Sequence, residues 1–147
     1  ATTGIELYNT KGEKVNIYFD MKERKLVMDR TESGLIEFGK LAVPHDIEKN
    51  YADIHQGVGN TPFRVFNSIN YKNDFALGTW APLSLCEGKT YHVDIFVDKC
   101  SVEIFVDGGR IAMTNLVFPT MPYTSVKFYN KGASSSFRNI KISELSL

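Results

Sequence analysis

The densest set of groups able to do acid–base work is Asp94, Asp98, Glu103 and Asp107, which share one face of a single hairpin within Tyr91–Pro119. Paired carboxylates are what glycoside hydrolysis uses. Each of the four also has a structural role open to it: Asp98 and Asp107 border turns, and Asp107 is placed to pair with His92 or Arg110. Sheet-surface acids are as a rule solvated or ion-paired, and one flat hairpin lacks the concavity that catalysis wants. His45, His55 and His92 fall in separate segments without Cys or His at ligand spacing, so no metal site is expected. A Gly-x-Ser-x-Gly elbow, a P-loop and a dinucleotide fingerprint are all missing from the sequence, and no cofactor or catalytic residue is assigned.

Binding asks for less. A sugar needs an aromatic ring under its apolar face and amides or carboxylates for its hydroxyls. Tyr71, Asn73, Asp74 and Trp80, in the loop-rich middle of the chain, are the candidates for carbohydrate binding. Against this stands the reading in which Trp80, the only tryptophan, plugs the core.

The elements that must position these groups are strands. Val93, Ile95 and Val97, then Val102, Ile104 and Val106, then Ile111 and Met113 alternate with other residues, the period of a strand with one buried face. A loop at Lys99-Cys100 opposes Val97 to Val102, Ile95 to Ile104 and Val93 to Val106. A second at Gly108-Gly109 sets Val106 against Ile111 and Ile104 against Met113. Both turns build one aliphatic face. The other face carries His92, Asp94 and Phe96 beside Glu103, Phe105 and Asp107, which is either partly covered by loops or another domain, or simply surface with scattered aromatics.

Elsewhere, Ile5 and Leu7 precede a turn at Tyr8–Gly12, Val15, Ile17 and Phe19 follow it, and Leu26 and Met28 lead into the turn-rich Asp29–Gly34. Between Leu41 and Pro62 the periodicity fades, then resumes from Phe63 towards Trp80, Leu83 and Leu85. Val126–Tyr129 reads as a strand, and Ile140, Ile142 and Leu145 as a last one. About ten short strands without a convincing long helix predict an all-β fold: a two-sheet antiparallel β-sandwich of jelly-roll, concanavalin-like type. At 147 residues the chain is read as a single domain spanning 1–147.

Lys and Arg total 17 and so do Asp and Glu, with no basic stripe, so nucleic acid is not an expected partner. No apolar run approaches a membrane span. Cys86 and Cys100 are read as two free thiols, since the loop position of Cys100 leaves Cys86 well beyond the ladder. The opening at Ala1, without methionine, is read as a processed product or a piece of a longer polypeptide.

One stretch carries a resemblance. Ile95–Pro119, IFVDKCSVEIFVDGGRIAMTNLVFP, resembles the signature of the C-terminal β-sandwich of glycoside hydrolase family 32, the invertases, inulinases and levanases. Leu26–Gly34 is similar to that domain's L-x-V-D-R-S-x-S-G, and Ala81-Pro82-Leu83 to a short A-P-L element. Lys99-Cys100 departs from the usual Arg-Ser and Asn115-Leu116 from the usual Arg-Ile, while residues 43–79 are longer than in a typical member and read as an insertion.

The resemblance implies a fragment from the C-terminus of a larger glycosidase, whose active site lies in a separate N-terminal five-bladed propeller of the same polypeptide. The propeller's N-D-P, R-D-P and E-C motifs are not in this sequence: Asn73-Asp74 is followed by Phe75, and Cys86 precedes Glu87. The expected role is therefore a non-catalytic accessory domain packing on the propeller, with Phe96, Glu103 and Phe105 as the docking face. A fructan-binding module or a lectin-like adhesive domain are the alternatives. The family implies an extracellular, periplasmic or cell-surface setting.

Overall fold

The computed structural model describes residues 1–36, 75 and 78–145. Eight strands are found there: β1 (Thr2–Tyr8), β2 (Lys14–Asp20), β3 (Lys25–Asp29), β4 (Thr79–Pro82), β5 (Val93–Val97), β6 (Ser101–Val106), β7 (Ile111–Leu116) and β8 (Ser125–Lys131). They form a five-stranded sheet in the order β4-β3-β2-β1-β8 and a three-stranded sheet in the order β5-β6-β7, antiparallel throughout. Among the described residues no helix is long and apolar enough to cross a membrane.

The alternating pattern decides which face turns inward. Ile5, Leu7, Val15, Ile17, Leu26, Met28 and Leu83 from one side and Val102, Ile104, Val106, Met113 and Val117 from the other form one buried cluster. Stacking the two sheets face to face is what buries both aliphatic sets, and the result is the expected antiparallel sandwich. Burying a side chain such as Ile104 stabilises the fold by roughly 1.5–3 kcal/mol before chain entropy is counted.

The β5-β6-β7 ladder has the register the sequence requires, with Val97 opposite Val102, Ile95 opposite Ile104, Val93 opposite Val106, Val106 opposite Ile111 and Ile104 opposite Met113. Two details differ. Val97 is 45% exposed although Val102 is fully buried, because it ends β5, which among the described residues is an edge strand with no neighbour beyond it. The second turn is also set one residue earlier than Gly108-Gly109: Gly109 N donates to the Val106 carbonyl (3.2 Å), making Asp107 and Gly108 the central residues. They sit at φ 50° and 69°, a conformation Asp tolerates better than most side chains and Gly adopts freely.

The expected final strand is not formed. Ile140, Ile142 and Leu145 are exposed and lie in no strand. Alternation selects a face, but a strand also needs a ladder to satisfy its backbone. After β8, Phe137 packs edge-on against Phe128 (centroids 4.9 Å apart), and none of the described strands pairs with the residues that follow. The interior is correspondingly open at that end, where Val126 and Phe128 of β8 are more than a third exposed.

Candidate functional site

The carboxylates of the β5-β6 hairpin are engaged in local structure. Asp98 Oδ1 accepts the Lys99 N–H (2.7 Å). Asp107 Oδ1 accepts the His92 N–H (3.0 Å) and its Oδ2 lies 3.3 Å from Arg110. Asp94 faces His92 Nε2 at 3.1 Å, and Glu103 accepts the Thr114 hydroxyl (3.3 Å). Among the described residues no group of three or more His, Cys, Asp or Glu converges as a metal site. Cys86 and Cys100 are exposed and unbridged.

On the same outer face Phe96 and Phe105 pack edge to face, centroids 5.8 Å apart and planes at 78°. The strand register explains the contact: Phe96 opposes Glu103 and Phe105 opposes Asp94, so the rings meet along a diagonal of the ladder. Phe96 is 46% exposed, and Leu116, which opposes Ser101 on this face, is 52% exposed.

Trp80 is not a core plug. It stands 60% exposed on the edge strand β4, with Lys25 Nζ 5.0 Å from its ring centre. Parity decides its side: Trp80 opposes Val27, which lies between the inward-facing Leu26 and Met28. Tyr71, Asn73 and Asp74 lie outside the described residues.

The register carries the row containing Trp80 across the whole sheet. Val27 opposes Tyr18, Tyr18 opposes Gly4, and Gly4 opposes Tyr129. Tyr18 and Tyr129 belong to no expectation drawn from the sequence. A Cβ on Gly4 would fall 2.2 Å from the Ile17 carbonyl oxygen, so only glycine lets β1 lie this close to β2. The Tyr129 hydroxyl donates to Asn16 Oδ1 on β2, carrying its ring across the strand of Gly4. Burial pushes the Tyr18 phenol above its ordinary pKa, aided by Asp29 and Asp20. Burial does the same to Tyr129 despite the opposing bond to Asn16.

The two stretches that carried the resemblance meet in space. Asp29 Oδ1 accepts the N–H and hydroxyl of Thr31, shaping the turn after β3. Arg30 then reaches the Leu116 carbonyl at the end of β7 (2.7 Å) and lies over the Phe75 ring (4.3 Å). Ser33 is fully buried, its hydroxyl donates to the Arg30 carbonyl, and its own carbonyl accepts the Tyr123 hydroxyl. Leu35 N donates to the Phe118 carbonyl (2.9 Å). Asn115, buried on the inner face, satisfies its amide on Thr79 Oγ1 of the opposite sheet (2.6 Å). These residues clasp one sheet to the other.

A model of the glycosyl hydrolases family 32 C-terminal domain matches residues 1–144. The chain belongs to this family. It is 30% identical over 95 residues, 65% of its length, to a levanbiose-producing levanase of Bacillus subtilis (strain 168), of which this covers 17%. The fold is similar to that of exo-inulinase from Aspergillus awamori, with a TM-score of 0.58 and 21% identity over 89% of this chain and 19% of that one. This family 32 C-terminal domain thus spans under a fifth of either relative. Its signature residues Arg30 and Ser33 belong to the clasp just described, and Gly34 follows them against the Phe118 carbonyl.

Proposed function

We propose that this domain is the accessory β-sandwich of an enzyme that cleaves β-fructosidic linkages in levan, inulin or sucrose. It does no chemistry itself; it packs on the catalytic propeller of the same polypeptide and stabilises it. The observation that carries this reading is the outer face of the three-stranded sheet, where the exposed Phe96 packs against Phe105 beside the exposed Leu116. The exposed Phe96 packed on the half-buried Phe105 of the middle strand, rimmed by His92, Asp94 and Glu103, has the anatomy of a protein interface: an apolar middle and a polar border. The family 32 match and the carboxylates' local bonds support it as well.

The test is a pair of assays on levan, inulin and sucrose. The 147-residue chain should release no fructose, while the longer polypeptide bearing it should. Deleting this domain should make the remaining polypeptide lose activity at a lower temperature. Fructose release by the short chain, or unchanged heat resistance after deletion, would contradict the proposal.

A further inference from the structure

We infer that the outer face of the five-stranded sheet is a binding platform for a neutral polysaccharide chain, with Trp80 and Tyr18 as its stacking rings. The platform is distinct from the propeller-docking face and does not depend on it.

The floor is the row Trp80, Val27, Tyr18, Gly4, Tyr129, one residue from each strand of the sheet. Neighbouring strands lie about 4.8 Å apart, so Trp80 and Tyr18 stand roughly 10 Å apart, enough for an extended ligand to engage both. Val27 between them is only 8% exposed although it lies outside the core cluster, which is what flanking rings leaning over it would produce. Gly4 leaves room in that row for the Tyr129 ring, which crosses it to reach Asn16.

Polar groups border the floor on both sides. The next row holds Pro82, Lys25, Asp20, Thr2 and Lys131, and the row on the other side Asp29, Asn16, Glu6 and Lys127. Among these charges, three Lys face three Asp or Glu, a balance of both signs that suits a neutral ligand presenting many hydroxyls better than a charged one. At the end where β2 turns into β3 and β4 ends, Asp20, Arg24 and Ser84 line a concavity with Leu83 and Leu85. That puts hydrogen-bonding side chains to one side of the floor, beyond the row of Pro82, Lys25 and Asp20.

The three-stranded sheet offers no such arrangement, because Phe96 and Phe105 close on each other edge to face and leave no open floor. Sugars stack on ring faces, and the Trp80 ring is the most exposed one on either sheet.

Trp80 is the only tryptophan, so its emission reports binding directly. The 147-residue chain is titrated with levan, inulin and the glucan dextran, and its migration is followed in native gels containing each polysaccharide. The expected result is a saturable change in Trp80 emission with at least one of them. The same polysaccharide should retard the chain, with affinity falling about tenfold in Trp80→Ala and in Tyr18→Ala. Phe96→Ala, on the opposite sheet, should bind as the parent does. Thermal melts of all variants confirm that they remain folded. Absence of any emission change and retardation, or equal retardation of Trp80→Ala and the parent, would overturn the inference. Neither outcome touches the propeller-stabilising role, which is read by heat inactivation.

Discussion

The outer face of the five-stranded sheet sets an exposed Trp80 in one row with the half-buried Tyr18 and Tyr129 among charges of both signs, whereas the outer face of the three-stranded sheet pairs Phe96 with Phe105 beside Leu116. The inner faces of the same strands hold one continuous aliphatic cluster. The difference arises because inward positions answer to packing, which both sheets share, while outward positions answer only to what each sheet meets. This family 32 C-terminal domain thus presents two outer faces of different character.

The contrast between inside and outside can be broken most severely at Ile104. Ile104→Ala, at a position 1% exposed, should cost about 2–5 kcal/mol through the cavity it leaves in the shared interior. A denaturant melt measures this. Gly34→Ala should follow at about 2–4 kcal/mol, since the new Cβ would fall 2.4 Å from the Phe118 carbonyl oxygen at φ 142°. Gly108→Ala meets nothing within 4 Å and should lose only about 1 kcal/mol, from its φ of 69°. If the two glycine variants melt alike, the clasp at Gly34 is not as tight as described.

Tyr123 sharpens the same point through pH. Burial raises its phenol to about 12, helped by Glu13 and opposed by the bond to Ser33. The folded state thus favours the neutral phenol more than the unfolded chain does, whose pKa is about 10. That stabilisation is complete below pH ~10 and is lost as pH rises towards 12. Tyr123→Phe should lack this component of the alkaline destabilisation in melts taken between those values. Smallest of all, Glu103→Gln on the outer face should change stability by no more than about 0.5 kcal/mol.

Much of this was legible in the sequence where the signal was local. Val102, Ile104 and Val106 alternate without interruption between two turn signals, and that fixed both registers and both faces. Whether Trp80 faces the core or solvent is left open by its own stretch of sequence because β4 is only four residues long. Its neighbours nonetheless held the answer: Ala81, Leu83 and Leu85 share one parity, all pack on the core, and Trp80 has the other. The clasp was not legible, because Arg30 meets a carbonyl 86 residues away and the Asp29–Gly34 stretch reads alone as an ordinary turn. Tyr18 and Tyr129 were invisible as a pair because only the pairing of β1 with both β2 and β8 puts them in one row.

The assignment of the two outer faces is tested most directly by heat inactivation of the longer polypeptide, whose proposed activity is fructan cleavage, carrying either Phe96→Ser with Phe105→Ser or Trp80→Ala. The account predicts that the double phenylalanine variant loses activity several degrees lower than the parent while Trp80→Ala tracks the parent. Early inactivation of Trp80→Ala, with the phenylalanine variant unchanged, would contradict it.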